Sequence, residues 1–178
     1  MSNNVLSADN QQGRARHSLD PWYITGFVEG EGTFHIAFYK DPRMKQSIKV
    51  IPEFHVNQSY LRIGTLKDIQ KYFGCGYIKA NHAKNTKDTT YVFVVRDREE
   101  LIRKIIPFFR KYPLHSIKQE SFKIFAQIVK MMTKGNHRNK KGIGIIINLA
   151  YQMNNYGKYR ARNKNDLLKT LQPSETIR

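Results

Sequence analysis

A glycine-rich segment that ends in acidic residues constrains this chain most, because it disfavours the helix in which it lies. Asp20 can cap a helix and Pro21 suits a first helical position, so we expect a helix to begin there. Gly26 and Gly30 then each cost about 1 kcal/mol relative to alanine inside a helix. Carboxylates follow at the C-terminal end, where the helix dipole favours cations. A segment that breaks its own propensities in this way indicates close packing or function.

The spacing of these residues predicts a helix that pairs with another copy of itself. Gly26 and Gly30 lie four residues apart on one helix face and leave room for a second backbone. Two copies packed through this face would bring two Glu31 carboxylates together, and like charges repel unless a cation lies between them. Mg²⁺ prefers such oxygen ligands. The alternative is an ordinary core helix that ends at Gly32.

Residues 24–32 read ITGFVEGEG and resemble the signature of the LAGLIDADG homing endonucleases. The resemblance implies that Glu31 binds Mg²⁺ or Mn²⁺, with the Gly30 carbonyl as a backbone ligand. It also implies a helix-to-helix interface formed by Tyr23, Gly26, Phe27 and Gly30. Members with one signature copy are homodimers, and we find no second copy, since the best candidate at 142–149 lacks an acidic pair. A homodimer is therefore expected.

Three further residues match functional positions of the family. Gln58 ends the second predicted strand and matches a polar residue that positions water. Arg62 follows four residues later and matches a basic residue near the scissile phosphate. Lys118, four residues before Phe122, matches a cation that stabilises phosphate charge or positions hydroxide. Each also has a structural interpretation, as a polar strand end or a solvated helix residue.

The charge of the chain points to a polyanionic partner. Lys and Arg total 31 against 14 acidic residues, so the net charge is 31 − 14 = +17. Nucleic acid fits this excess better than a membrane, because no apolar run approaches the ~20 residues of a spanning helix. The one cysteine, Cys75, excludes an internal disulfide and is typical of an intracellular, reducing compartment.

Helix and strand signals alternate in the order αββαββα, which predicts an α+β fold. We expect an antiparallel, four-stranded, saddle-like sheet with helices on one face. Pro52 predicts a bulge or an edge-like position in the second strand. Capping boxes at Asp97 and Ser116 each open a helix. The predicted strands are 33–39, 49–58, 77–81 and 90–95; later come a loop at 136–141, a helix to about 156 and a short helix at 165–171.

The predicted organisation is one endonuclease-like domain, 19–156, between two basic segments. Residues 1–18 form a polar, flexible arm without the apolar core of a secretory signal. Residues 157–178 form a basic tail. An organelle is the expected compartment if the gene is organellar.

The sheet face opposite the helices is the predicted DNA-binding surface, because donors and acceptors on strands can reach base edges in the major groove. The alternative is a polar face that only meets solvent. Lys140 and Lys141 are expected to contact phosphates or to solvate the chain. The side chains assigned to the sheet surface are those of Thr33, His35, Ala37, Tyr39, Lys49, Glu53, His55, Asn57, Lys79, Asn81 and Thr90.

Together these features predict a site-specific double-strand DNA endonuclease of the intron-homing type. The resemblance implies a long, pseudo-palindromic target, metal-dependent hydrolysis and 3′ overhangs. An RNA-splicing maturase that binds intron RNA and a non-cutting DNA-binding protein are the alternatives on the same fold. Neither alternative requires Glu31.

Overall fold

The computed structural model describes residues 19–43, 47–82, 89–156 and 162–171, and these form the predicted α+β fold. The order begins αββαββα, and further helices follow. A single 3-10 turn (Tyr60–Arg62) links β2 to α2. The elements are α1 (Pro21–Glu31), β1 (Gly32–Lys40), β2 (Ile48–Ser59), α2 (Ile63–Phe73), β3 (Tyr77–Ala80), β4 (Thr90–Val95), α3 (Arg98–Glu100), α4 (Ile106–Lys111), α5 (Lys118–Thr133), α6 (Lys140–Ala150), α7 (Met153–Tyr156) and α8 (Lys164–Thr170).

The four strands form one antiparallel sheet in the order β1-β2-β4-β3. The register between β1 and β2 is continuous from Gly32↔Val56 to Lys40↔Ile48, so no bulge forms at Pro52. Pairing of β2 with β4 begins at Phe54. Pro52 therefore has only β1 beside it, and the edge-like half of the prediction is confirmed.

Strand alternation directs the large apolar side chains of the sheet toward the helices. Phe34 is fully buried, and its ring lies 5.2–5.4 Å from those of Phe54, Phe109, Phe122 and Phe125. These rings join β1 and β2 to α4 and α5 in the main core. The helices consequently cover one face of the sheet, as predicted, and leave an outer face.

The helix boundaries agree with the prediction at Asp97 and differ from it near Ser116 and Asn139. Asp97 accepts the N–H of Glu100 at 3.0 Å, as the first capping box requires. Ser116 Oγ also caps a helix start, but it accepts the Lys118 N–H at 3.1 Å and donates its hydroxyl to Glu29, and α5 begins at Lys118. The predicted loop at 136–141 is shorter, because Asn139 accepts the Gly142 N–H at 2.8 Å and starts α6 at Lys140.

A wide helical turn, Leu101–Ile105, joins α3 to α4. The Ile106 N–H donates to the Leu101 carbonyl, five residues earlier. Pro107 follows and has no N–H to continue an α-helical ladder, which accounts for a local change in hydrogen bonding.

The C-terminal helix α8 belongs to the core. Leu167 is 1% exposed, and both Leu167 and Leu171 join the main apolar cluster, where α8 packs against α6. The core thus extends past the expected boundary at 156. The expected arm at 1–18 lies outside the described residues, as do 157–161 and 172–178 of the expected tail.

Leu167→Ala should lower the free energy of unfolding by about 2–5 kcal/mol, because it leaves a cavity in a packed core. Urea unfolding followed by circular dichroism measures this change. Lys169→Ala, at an exposed position of the same helix, is the matched control and should change the midpoint little. An unchanged midpoint for Leu167→Ala would show that α8 does not contribute to the core.

Candidate active site

The signature helix begins and ends through specific local contacts. Asp20 Oδ1 accepts the N–H groups of Trp22 at 2.7 Å and Tyr23 at 3.3 Å, which confirms the predicted cap. At the other end, a Cβ at Gly32 would lie 2.5 Å from Val28 Cγ1 and 2.8 Å from the Val28 carbonyl oxygen. Glycine is therefore needed where the chain turns directly from α1 into β1, which starts at that residue.

Lys118 from α5 neutralises the C-terminal end of this helix. Its Nζ donates to the carbonyls of Val28 at 2.8 Å, Glu29 at 2.8 Å and Gly32 at 2.6 Å. Burial lowers the pKa of Lys118, and the nearby carboxylates of Glu29 and Glu31 oppose that shift. A cation at this position satisfies terminal carbonyls and offsets the unfavourable placement of acids at the end of a helix.

Glu29 ties the same helix end to the segment before α5. Its carboxylate accepts hydrogen bonds from the His115 N–H, the Ser116 N–H and the Ser116 hydroxyl. Burial opposes ionisation of Glu29, but these hydrogen bonds and Lys118 outweigh it and lower the pKa of the carboxyl group. Each carboxylate oxygen of Glu29 therefore accepts at least one hydrogen bond from His115 or Ser116.

Glu31 differs, because its side chain is exposed and no hydrogen bond or ion pair to it is found among the described residues. The Gly30 carbonyl is not one of the three that Lys118 binds. A carboxylate and a backbone carbonyl are the hard oxygen donors that Mg²⁺ or Mn²⁺ prefers. Within the described ranges no cluster of three or more His, Cys, Asp or Glu could hold a metal. A metal at Glu31 would therefore not be held by three such side chains of those ranges.

The other two predicted catalytic residues lie at the end of β2 and on the turn that follows it. Gln58 lies two residues beyond the Gly32↔Val56 pair, at the end of the sheet where α1 meets β1. Its Oε1 accepts the Ser59 N–H at 2.8 Å. Arg62 is exposed on the 3-10 turn that follows β2. The structure thus brings Glu31 and Lys118 together and places Gln58 at the same end of the sheet.

The predicted DNA-binding residues of the outer face differ in exposure. Ala37 is 7% exposed and Glu53 3% exposed, so neither is presented to a base edge. Glu53 Oε1 lies 2.6 Å from Arg96 Nε, and Oε2 lies 2.9 Å from His55 Nε2. The prediction of a direct contact from Glu53 is therefore not supported. Thr33, His35, His55, Asn57 and Thr90 are half-buried, and the exposed members are Tyr39, Lys49, Lys79 and Asn81.

Sequence reasoning missed Arg96 on this face. It directly follows β4, and it continues the outward alternation of Thr90, Val92 and Val94. That alternation was the available signal. Lys140 and Lys141 are exposed on the first turn of α6, which packs on α5 and α8 in the helical layer. Their contact with phosphates remains a prediction.

Comparison with known proteins identifies the family. The family model described as LAGLIDADG endonuclease matches residues 24–129, a range that includes Glu31, Gln58, Arg62 and Lys118. The chain belongs to the LAGLIDADG endonuclease family. It is 34% identical over 137 residues to the probable intron-encoded endonuclease 2 of Neurospora crassa, covering 76% of this chain and 29% of that protein. It is 26% identical over 126 residues to the DNA endonuclease I-CeuI of Chlamydomonas moewusii, covering 71% and 56%.

Solved structures agree with this assignment. The homing endonuclease I-TnaI superposes with a TM-score of 0.74 at 35% identity, covering 86% of this chain and 97% of that one. I-SmaMI bound to cleaved DNA superposes with a TM-score of 0.76 at 25% identity, covering 88% and 50%. The chain spans between about a quarter and just over half of the length of the curated relatives it matches.

The signature helix α1 exposes the face that was predicted to pack against a second copy of the same helix. A Cβ at Gly26 or Gly30 would meet nothing within 4 Å. Tyr23 is 48% exposed and stacks on Phe27, with ring centroids 6.1 Å apart. An apolar strip beside two open glycines is thus available to another helix.

Glu29→Gln should lower the free energy of unfolding at pH 7. Because folding lowers the pKa of Glu29 from its ordinary value of 4.5, its ionised form stabilises the fold above that value. This stabilisation disappears as the pH falls through the lowered pKa, so the difference from wild type should shrink between pH 4.5 and more acidic conditions. Urea unfolding over a pH series from 7 to about 3 measures it.

The matched control is Glu120→Gln, which removes an exposed carboxylate 2.7 Å from Lys123 and should have little effect at any pH. A Glu29→Gln difference that stays constant over the whole series would contradict a role for the charge of Glu29.

Proposed function

We propose that this chain is a metal-dependent, site-specific DNA endonuclease that acts as a homodimer. The observation that carries the proposal is the exposed Glu31 carboxylate at the end of the signature helix, beside the Lys118 ammonium. Glu29 is held by three hydrogen bonds, whereas Glu31 remains directed to an exposed position. A protein that only binds nucleic acid has no need for an acidic residue at such a position.

Double-stranded DNA is the proposed substrate. The net charge of +17 supports phosphate binding, which provides affinity without sequence information. Exposed polar side chains on the outer sheet face support readout of base edges. The related protein I-CeuI is described as a DNA endonuclease, and I-SmaMI has been crystallised with cleaved DNA.

Glu31 and the Gly30 carbonyl are the proposed ligands for Mg²⁺ or Mn²⁺. When bound, the ion supplies an activated water and neutralises charge on the reacting phosphate. The Oε1 atom of Gln58 accepts the Ser59 N–H, and its amide nitrogen supplies donors that can orient water. Arg62, exposed after β2, is proposed to contact a phosphate near the cut.

Lys118 is proposed to position Glu31 rather than to contact the reacting phosphate. An ammonium group has three N–H donors, and three carbonyls accept from Lys118. It can contact phosphate only by releasing one of these carbonyls. Its charge nevertheless lies close enough to interact with the Glu31 carboxylate.

A homodimer would form through the exposed face of α1, where Gly26 and Gly30 allow close approach. Two-fold symmetry then implies a pseudo-palindromic target, and the family resemblance implies 3′ overhangs. Relatives described as intron-encoded support a role in intron homing. We place the protein in an intracellular, reducing compartment, an organelle if the gene is organellar, since Cys75 is a free buried thiol. None of the helices within the described ranges is long and apolar enough to cross a bilayer.

The second candidate function is an RNA-splicing maturase with intron RNA as its partner. The intron-encoded relatives favour it, because such a protein would act on the transcript of its own intron. Cleavage assays that include intron RNA separate the two candidates.

Glu31→Gln should reduce DNA cleavage on the order of 10²-fold or more, because it removes the charged ligand at the reacting centre. Specific binding should change little. The target is first selected from a randomised DNA library cut in Mg²⁺ or Mn²⁺; cleavage and binding are then measured on that target. Glu120→Gln is the control for loss of a carboxylate elsewhere. Cleavage by Glu31→Gln at the wild-type rate would refute the mechanism, and tight RNA binding without DNA cleavage would favour the maturase.

Gly26→Leu should raise the dimer dissociation constant by about tenfold or more, since a bulky side chain then separates the two helices. The fold should survive, because a Cβ there meets nothing within 4 Å and leucine favours a helix over glycine. Sedimentation over a concentration series measures the constant. Gly64→Leu, at an equally open glycine of α2, is the matched control. A wild-type chain that remains monomeric while cleaving at full rate would exclude the homodimer.

A further inference from the structure

A charged cluster formed by Glu53, His55 and Arg96 lies on the outer face of the sheet. Glu53 pairs with His35 across β1 and β2. The pair Phe54↔Val95 sets Arg96 beside Glu53 on the other side. His35, Glu53 and Arg96 therefore form a row across the sheet, on the face that the proposed function assigns to DNA.

Glu53 is the buried centre of this cluster. It is 3% exposed, and its two oxygens face different partners, Arg96 Nε at 2.6 Å and His55 Nε2 at 2.9 Å. Burial opposes ionisation of Glu53, but His55, Arg96 and His35 outweigh it and lower the pKa of the carboxyl group. The carboxylate is thus a fixed negative charge that holds two side chains in place.

Stability alone does not account for a carboxylate at this position. Val92 and Val94, on the same face of β4, are 2% and 0% exposed, so apolar side chains fill the adjacent positions. Replacing a buried ion pair by apolar residues of similar volume is often neutral or stabilising. A buried charge among these valines therefore indicates a constraint other than folding.

Arg96 has the most exposed side chain of the three cluster residues. Its Nε is buried against Glu53, whereas 37% of its side chain is exposed. No hydrogen bond from the two terminal nitrogens is found within the described ranges, and they carry four N–H donors. Such a planar fork matches the O6 and N7 acceptors of guanine in the major groove.

We propose that Arg96 recognises a guanine in each half-site of the target and that Glu53 is the positioning residue that orients its guanidinium. His55 occupies the second oxygen of Glu53, so Arg96 is held at the first. An arginine held in this way loses less side-chain freedom when DNA binds. The assignment rests on the proposed function, because it requires that the outer face bind duplex DNA.

The test is selection of bound duplexes from a randomised library by the full-length Glu31→Gln chain, which binds without cutting. The same selection is repeated with Arg96→Met, Arg96→Lys or Glu53→Gln added. We expect guanine at one symmetry-related pair of positions, preferred about tenfold to hundredfold by the parent. Arg96→Met should abolish that preference and leave the other positions unchanged. Glu53→Gln should weaken the preference at the same pair.

Arg96→Lys decides the matter if Arg96→Met does not fold. Lysine keeps the charge beside Glu53 but cannot make the planar two-point contact, so guanine preference should still fall at that pair. Arg103→Met is the matched control, since Arg103 also pairs with a glutamate, Glu99, through Nε at 3.3 Å but lies exposed on the helical side. It should not alter the selected sequence.

Two outcomes would overturn the assignment while leaving the proposed function intact. Arg96→Met could weaken every sequence equally and reduce the slope of log affinity against log salt by about one, which is the behaviour of a phosphate contact. The selected sequence could also remain unchanged in both Arg96 variants, which is the behaviour of a structural ion pair. If the Glu31→Gln parent itself selects no sequence, the proposed function fails and this assignment fails with it.

Discussion

The contact of the Lys118 ammonium with three carbonyls at the end of α1 is the interaction on which the candidate site depends. A helix end carries partial negative charge and unsatisfied carbonyls, and here two glutamates add to that charge. Without a cation, the end of α1 would be electrostatically unfavourable. Lys118 comes from α5, so the packing of a distant helix permits the acidic end of the signature helix.

The two acidic residues of the signature have separate roles because of this contact. Glu29 points toward α5 and binds the residues just before Lys118, which fixes the lysine from the other side. Glu31 follows the last carbonyls of the helix and remains exposed. The glycines differ in the same way: Gly32 is required by the close approach of Val28, whereas Gly26 and Gly30 are open to the surface. Residues 24–32 thus combine a tightly packed turn at Gly32 with an exposed helix face at Gly26 and Gly30.

The sequence predicted the order of the elements, since alternation and capping are local signals. It also predicted which strand residues share a face, because that follows from the two-residue period. It could not predict depth within a face. Glu53 and Asn57 share a phase, yet only Glu53 is buried, and Arg96, which follows β4, lies against its carboxylate. The carbonyl contacts of Lys118 were equally inaccessible, because they join residues 86–90 positions apart. Helix α8 belongs to the core because it packs against α6. The polar and charged residues around Leu167 gave no sign of this contact in the sequence.

The same arrangement, a cation restrained by neighbouring acceptors, occurs at both sites that the proposed function uses. At the end of α1, Glu29 and a set of carbonyls hold the Lys118 ammonium; on the outer face, Glu53 holds the Arg96 guanidinium. In each place, burying the acceptor wholly or in part costs desolvation free energy. The acceptor in turn holds a cation in a defined position. Mobile surface lysines and arginines supply salt-dependent affinity for any DNA, which suits a chain of net charge +17. Discrimination between sequences, proposed for Arg96, and positioning of Glu31, proposed for Lys118, both need cations that neighbouring acceptors hold in place.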